Sequence, residues 1–414
     1  MRSMHVVMHI VVLAIATSCG GTRQVVSSAG ATAGGVMPGV EVLLRDSLHL
    51  LQGKRVGLIT NHSGRDRRGT STIDLLYRAP GVRLTALFGP EHGLRGLARA
   101  GDKVSSTTDS STGVPIFSLY GQTYAPTAEM LREVDVLLYD IQDVGARVYT
   151  FEWTMALSAE AAGTLGKKFI VLDRPDPIRG DAVEGSVLDP RFRSFVGQYP
   201  VALRYGLTPG ELLRYLVGTR QIAANVTVIP MHGWRRSMWW EETGIPWVNP
   251  SPNIRSMDAT ILYPGTVFFE GTNATEGRGT DKPFQLIGAE WMSDAGAIAR
   301  DLNALALPGV RFDSTSRTIE AGYKFGGKTI PMIEVSVTDR DRTRPVEVGV
   351  RMLRMIYERH RSEWQWRQQS IDRLAGTDEL RRAVEEGTID ALLTKWSDES
   401  RRWKEEARKY WLYQ

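Results

Sequence analysis

The chain has 414 residues, 42% of them hydrophobic and 24% charged, a globular composition with length enough for two domains with their own cores. The formal net charge is +4, but the basic residues are scattered, whereas a nucleic-acid footprint gathers them on one face. No nucleic-acid partner is implied.

Taken in chain order, Met1–His5 form a short basic segment around Arg2, followed by an apolar run from Val6 to Ala16. That run is too short to span a bilayer and reads as the apolar region of a secretory signal. Ala16-Thr17-Ser18-Cys19 closes it; small residues before a cysteine resemble the bacterial lipobox, with Ala16 where leucine is usual. The expectation is a lipoprotein signal peptide over 1–19 and lipidation of Cys19, giving an exported, membrane-anchored periplasmic protein of the cell envelope. An ordinary cleaved signal with an incidental cysteine is the alternative. Cys19 is the sole cysteine, so no intrachain disulfide is expected. Residues 20–38, rich in Gly, Ala, Ser and Thr, read as a flexible tether.

From about residue 54, apolar runs alternate with helical stretches. Arg55–Thr60, Arg83–Phe88, Pro115–Tyr120, Asp135–Ile141 and Lys168–Asp173 are nearly continuous in apolar residues, as strands buried on both faces are. Thr70–Arg78, Thr127–Val134 and Thr150–Leu165 are the expected helices between them. The alternation predicts, over 39–263, an open, mostly parallel α/β sheet with helices on both faces. The runs end in polar residues: Asn61-His62, Glu91-His92, Tyr120, then Asp140, Gln142 and Asp143, and last Asp173. Such sheets bind ligands beyond the carboxyl ends of their strands, so these ends are expected to converge on one crevice.

The character changes near 264. A Gly-rich polar loop, FFEGTNATEGRGTDKP, leads into helix and strand candidates at Ala289–Leu305, Ile330–Val337 and Val346–Arg359, then into a basic, Trp-rich helical tail. This reads as a second, smaller α/β domain over 264–414, with the tail aromatics as helix-packing anchors.

Glu91 in FGPEHG is the leading catalytic candidate. Pro90 and Gly93 set it on a tight turn, and a glycosidase needs one carboxylic acid held protonated for the leaving oxygen. Capping a helix near Leu94 is its structural alternative. His92 is a second proton-transfer group or a hydrogen-bonded turn histidine. DIQDVGARVYT supplies Asp140, Gln142, Asp143, Arg147 and Tyr149, although Asp143 and Arg147 also fit a solvated i,i+4 pair. Metal ligation there needs further acids or histidines, so no metal is assigned. In EGTNATEGRGT, Glu270, Asn273, Glu276 and Arg278 stand among glycines that let backbone approach a ligand. Arg147 and Arg278 are the candidates for a carboxylate-bearing ligand, because guanidinium matches carboxylate in a fork. No G-x-G-x-x-G, P-loop or G-x-S-x-G motif occurs, so nucleotide and serine-hydrolase chemistry is not indicated and no cofactor is expected.

Jointly, RVGLITNHSG, TALFGPEHGLRG, LLYDIQDVGARVYTF, FIVLDRPDPIRG, VEGSVLD, SFVGQYPVALRYGLTPGEL, MHGWRRSMWW, PWVNPSPNI, YPGTVFFEGTNATEGRGT and WKEEARKYWLY resemble the exo-β-N-acetylmuramidases of the NamZ type, from about residue 40 to the C-terminus. The resemblance implies a glycoside hydrolase that releases terminal N-acetylmuramic acid from the non-reducing ends of peptidoglycan fragments in cell-wall turnover and recycling. It implies a Rossmann-like N-terminal domain, a smaller C-terminal domain and a cleft between them. The family's proposed catalytic glutamate maps to Glu91, and DIQDVGAR and EGTNATEGRGT match cleft-lining segments. Two positions depart: Asp176 stands where asparagine is expected, and His62 where glutamine is common.

The expected mechanism has the lactyl carboxylate on Arg147 or Arg278, Glu91 as general acid, and Asp140, Glu270 or Glu276 as the second catalytic acid. Asn61, His92, Gln142, Asp143, Tyr149, Asp173 and Asn273 are expected to bind substrate. Two rivals are a non-catalytic muramyl-sugar-binding lipoprotein and a metal-dependent deacetylase or esterase using Asp140, Asp143 and His92.

Overall fold

A computed structural model describes residues 35–96 and 107–414. The expected signal peptide, Cys19 and most of the expected tether lie outside the described residues. The last tether residues do not behave as a linker: Val36 is buried, its amide donates to Thr243 O at 2.7 Å, and Met37 pairs with His232. The described chain from Gly35 to Gln414 forms one compact unit.

It opens with α1 (Gly39–Val42), β1 (Arg55–Thr60), α2 (Thr72–Arg78), β2 (Arg83–Gly89), β3 (Thr107–Thr108), β4 (Pro115–Ser118) and β5 (Val136–Asp140). Then come α3 (Phe151–Thr164), β6 (Lys168–Leu172), the β7 (Glu184–Val187) and β8 (Ala202–Arg204) ribbon, α4 (Pro209–Gly218) and β9 (Asn225–Ile229). The central sheet runs β3-β4-β2-β1-β5-β6-β9. All neighbours are parallel except β3, which pairs antiparallel to β4. Counted in chain order, the six parallel strands lie 3-2-1-4-5-6, the doubly wound arrangement of Rossmann folds.

Strand alternation divides these apolar runs between two cores. Leu58, Leu138, Ile170 and Leu172 face a layer with Val40, Leu43 and Leu76, while Ile59, Leu137, Tyr139, Phe169 and Val171 face α3, α4 and the rest of the molecule. Both faces are therefore buried, which is why these runs carry almost no polar residues. The expected helix at 127–134 is absent. Turns form there instead, with bonds from Leu131 N to Thr127 O, Arg132 N to Glu129 O and Val134 N to Leu131 O, and only Leu131 and Val134 of the segment are buried, too narrow a packed face to hold a helix.

The second half comprises α5 (Met257–Thr266), β10 (Leu286–Gly288), α6 (Ala295–Ala304), β11 (Val310–Thr318), β12 (Thr329–Val337), α7 (Pro345–Arg359), α8 (Gln368–Ala375), α9 (Glu379–Glu386) and α10 (Ile389–Ala407). Its sheet, β10-β12-β11, is antiparallel. Helix α5 spans 263/264, where the sequence pattern changes, and the larger apolar core continues from Phe88 and Trp153 to Trp396 and Trp403 on α10. The tail then returns to the first sheet: Tyr413 donates to Asp173 at 2.5 Å, and the Leu412 amide donates to Glu211 at 2.7 Å.

Asp176, the position where asparagine is expected, is buried; one oxygen accepts from the Ile178 amide at 3.0 Å. Burial pushes its carboxyl up to about 8 against the opposing pull of Arg204. A protonated aspartic acid is close to an asparagine in shape and charge, which accounts for the exchange. A carboxyl with a raised folded pKa stabilises the fold fully below its unfolded value and loses that contribution as pH rises through the folded value. Asp176→Asn is therefore expected to match the parent's melting temperature near pH 3, below the ordinary aspartate value, and to exceed it by a margin that grows up to about pH 8 and persists at pH 9. Paired thermal melts across that range check this, and identical pH profiles would overturn it.

Candidate active site

Strand β2 delivers Gly89 and Pro90 to a series of turns in which His92 (φ 68) and Gly93 (φ 72) are both left-handed. This conformation is costly for a side chain larger than glycine and concentrates at functional sites. It places Glu91 in the wall of a cavity of about 220 Å³. Glu91 is 9% exposed and accepts a 2.6 Å hydrogen bond from the Thr150 hydroxyl, just before α3. Tyr120, beyond β4, stands against it; burial and then the charge of Glu91 raise its phenol. His92 meets Phe151 edge-on at 6.4 Å. Tyr124 and Phe195 pack at 4.1 Å between centroids and extend the aromatic wall.

The opposite wall comes from the second half. Glu270, in the turn after α5, and Arg278 both line the cavity. The loop between them needs its glycines: Gly277 sits at φ 81, and a Cβ there would come within 2.7 Å of Leu286 O. Arg278 lies over the Phe284 ring at 4.9 Å, and Phe284 is itself held at φ 64. Arg278 pairs with Glu270 at 2.7 Å and Glu276 at 2.8 Å, and Lys324 approaches Glu276 at 3.7 Å. Burial raises Glu270 while Arg278 opposes it. Burial acts the same way on Glu276, but Arg278 and Lys324 outweigh it and hold that carboxyl below its ordinary value.

Of the expected site residues, Glu91, His92, Tyr149, Glu270 and Arg278 meet around this cavity. The others are drawn into the scaffold. Asp140 forms a buried ion pair with Arg174 at 2.5 Å and accepts from Thr72. Gln142 donates to the carbonyls of Asp143 and Pro175, and Asp143 accepts from Tyr205 and from the Gly145 amide. Asn61 shapes the turn after β1 by accepting twice from Ser63. Asp173 accepts from the Gly210 amide and Thr208 at the start of α4, burial raising it to about 7. Asn273 bridges to Glu363 O and the Gln365 amide. Glu276 lies behind Arg278 as a counter-ion. Arg147 is fully buried, donating to the carbonyls of Ser186, Val201 and Leu374; burial lowers it to about 9. Its Nε–H has no acceptor among the described residues, but the side chain is sealed from solvent and does not line the cavity, so it is not placed to meet a substrate carboxylate.

The strand ends thus do not share one crevice. At the switch point between β1 and β5, the Asp140–Arg174 pair fills the space where doubly wound sheets admit nucleotides, leaving a void of about 20 Å³ beside Gln142 and Trp240. That volume suits about one water molecule. The cavity opens instead beyond β2 and β4. Asp140 and Asp143 do not line it with His92, and among the described residues no three His, Cys, Asp or Glu side chains are disposed to hold a metal. Sequence reasoning missed Thr150, Tyr124, Phe195, Ser251, Asn253 and Tyr263 as lining residues, and Lys324 behind them. The run NPSPN, polar residues fixed between prolines, was the available signal for Ser251 and Asn253.

Two family models match the chain in succession: the N-terminal part of the exo-β-N-acetylmuramidase NamZ over 56–258, and its C-terminal part over 261–413. The peptidoglycan β-N-acetylmuramidase NamZ of Bacillus subtilis (strain 168) is 43% identical over 380 residues, 91% of each chain. Two crystal structures of DUF1343 family proteins from Bacteroides fragilis NCTC 9343 are also similar. One has a TM-score of 0.84 at 36% identity and the other 0.74 at 28%; each comparison covers 92% of this chain and 99% of that protein.

The Arg147 geometry carries its own test. Arg147→Met removes the side-chain donor from the Ser186, Val201 and Leu374 carbonyls, of which Val201 keeps the Leu188 amide, and one unsatisfied buried group costs roughly 1–3 kcal/mol. A stability loss of at least about 2 kcal/mol is expected, read as a fall in the urea midpoint. An unchanged midpoint would return Arg147 to the list of ligand-binding candidates.

Proposed function

Since this chain belongs to the exo-β-N-acetylmuramidase NamZ family of glycoside hydrolases, we propose that it releases terminal N-acetylmuramic acid from peptidoglycan fragments by acid catalysis from Glu91. The observation that carries this reading is that Glu91 and Glu270, from opposite halves of the chain, line one cavity walled by Tyr120, Tyr124 and Phe195. Two carboxyl groups across a sugar are what glycoside hydrolysis requires, and aromatic rings offer apolar faces to the pyranose.

In this mechanism Glu91 hands a proton to the glycosidic oxygen as its bond to the anomeric carbon breaks and positive charge develops there; a water molecule completes the hydrolysis by supplying the new oxygen at that carbon and the proton that restores Glu91. Thr150 fixes the carboxyl's orientation through its hydroxyl. Of the three candidates for second acid, Glu270 is favoured, because Asp140 is sealed by Arg174 and Glu276 is shielded behind Arg278. Its negative charge supports the oxocarbenium-like centre or orients the substrate's acetamido group. Arg278 receives the lactyl carboxylate; its buried Nε–H meets no acceptor among the described residues. The muramyl-binding and deacetylase readings have weaker support, the latter because its three residues lie in separate environments.

Position in the cell belongs to the same proposal. The apolar run Val6–Ala16 and the sequence Ala16-Thr17-Ser18-Cys19 support export, lipidation at Cys19 and a periplasmic enzyme held at the membrane.

Two experiments test these assignments. Glu91→Gln is expected to lower kcat on a muramic-acid-terminated disaccharide by roughly 10²–10⁴-fold, with a much smaller loss on a 4-nitrophenyl glycoside whose leaving group needs no proton. Glu270→Gln is expected to impair both substrates alike. Near-normal disaccharide turnover by the Glu91 variant would falsify the acid assignment. For the anchor, Cys19→Ser is expected to move the protein from the membrane to the soluble fraction, and retention of the variant in membranes would refute lipidation at that residue.

A further inference from the structure

A second hollow lies apart from the sugar cavity. It encloses about 370 Å³ and shares no lining residue with the cavity around Glu91. Its walls join the two halves of the chain: Arg179 and Arg204 come from the first, and Arg340, Arg344, Arg401 and Lys404 from the second. Asp181, Glu184 and Asp341 are the only carboxylates that line it. Arg340 and Arg401 also pair with carboxylates outside the lining, Glu241 at 2.7 Å and Asp398 at 2.5 Å, so the six cations meet five anions and one positive charge remains in excess.

Three of these cations are incompletely neutralised. Arg204 is 2% exposed; it pairs with Glu184 at 2.5 Å and reaches the Ile178 carbonyl, yet its buried Nε–H has no acceptor. The Arg344 guanidinium makes only long contacts to the carbonyls of Asp341 and Thr343, at 3.4 and 3.3 Å. The Lys404 ammonium donates to a neutral partner, the Asp181 carbonyl, at 2.5 Å. Burial lowers its pKa and Arg236, Arg408 and Arg179 lower it further, against the opposing pull of Asp181. Arg179, the residue that begins the first wall, is also held at φ 75, a conformation that is strained for arginine.

We propose that this hollow is an anion site that binds a phosphate group among Arg204, Arg344 and Lys404. A carboxylate brings one charge and two oxygens. A phosphate brings three free oxygens as a monoester, or two free and two bridging oxygens as a diester, so either form offers more acceptors than a carboxylate to donors arriving from three directions. Guanidinium groups also favour phosphate through forked hydrogen bonds. Because the donors come from both halves of the chain, an occupant ties β8 to the start of α7 and to α10. The source is either a free phosphate or small phosphate ester, or the phosphodiester backbone of an anionic polymer.

The test titrates the intact protein with inorganic phosphate and, separately, with a glycerol phosphate polymer at matched ionic strength. ³¹P line broadening and calorimetry are the readouts. Saturable binding is expected, weakened by at least about tenfold in the double variant Arg344→Gln/Lys404→Gln; Arg344 is exposed and Lys404 only half-buried, so both changes suit the fold. Arg344→Lys, which keeps the charge, is expected to retain part of the affinity. Similar affinity per phosphate for both probes identifies the small ester as the source, and markedly tighter polymer binding identifies the polymer. Absence of saturable binding by either probe, equal affinity in the double variant, or competition between phosphate and the muramic acid substrate would each overturn the proposal.

Discussion

The guanidinium of Arg147 is the joint on which the cavity depends. It has no carboxylate beside it and is held by three carbonyls: Ser186 and Val201 from the β7/β8 ribbon, and Leu374 from α8. Its own backbone bonds to Leu203 and accepts from Trp153. Thr150, three residues on, orients Glu91, and both Thr150 and Leu374 line the cavity. One buried side chain therefore couples the segment that carries the acid's partner to the helix that closes the far wall. Desolvating a cation with only neutral acceptors is costly, as the depression of its pKa to about 9 records. The fold tolerates this because guanidinium presents donors in fixed divergent directions, and a lysine ammonium cannot reach three such carbonyls in the same way.

The same economy of space explains where the cavity lies. A doubly wound sheet leaves a natural opening at its switch point, and this chain fills it with Arg174, whose guanidinium reaches both Asp140 and the Arg65 carbonyl. The carboxyl ends of β1, β5 and β6 are thereby converted from a ligand site into a rigid floor. Function moves sideways to β2 and β4, where the turn carrying Glu91 has room to face a second lobe. His92 and Phe284, both non-glycine residues with positive φ, stand on opposite halves of that cavity, so its walls are shaped by backbone conformations that only surrounding packing can enforce.

These particulars mark what could be read from residues alone. Strands β1, β2, β5 and β6 were legible because burial on both faces leaves an unbroken apolar run, and Phe151–Thr164 and Pro345–Arg359 because their length and pattern admit little else. Strand β9 was not, because NVTVI at the sheet edge mixes polar and apolar residues; nor was β11, a largely polar strand in which Phe312 is the one fully buried side chain. At the site, Glu91 was legible from its turn and Glu270 and Arg278 from their Gly-rich loop. Asp140, Asp143, Arg147 and Asp173 looked alike in sequence but are scaffold, since the type of a polar residue does not reveal whether its partner is substrate or protein. Only the three-dimensional position of Arg174, Tyr205, Leu374 and Tyr413 decides that.

The acidic loop shows how such partners divide roles between similar residues. Glu270 and Glu276 share Arg278 at nearly equal distances, yet burial prevails in one and charge pairing in the other. Two charges separate them: the Glu276 carboxylate raises Glu270, and Lys324 lies close to Glu276. The Lys324 ammonium bonds to the carbonyls of Ala274 and Thr272 and lies 3.7 Å from Glu276, which therefore feels two cations. Glu270, with a share in one close cation, resists ionisation more. Buried charges persist only when paired, and the pairing here is uneven: Glu276 is fixed as a permanent counter-ion, and Glu270 is left on the cavity wall with an adjustable proton affinity. A lysine that no motif singles out thus helps to determine which of two neighbouring glutamates remains free to respond to a ligand.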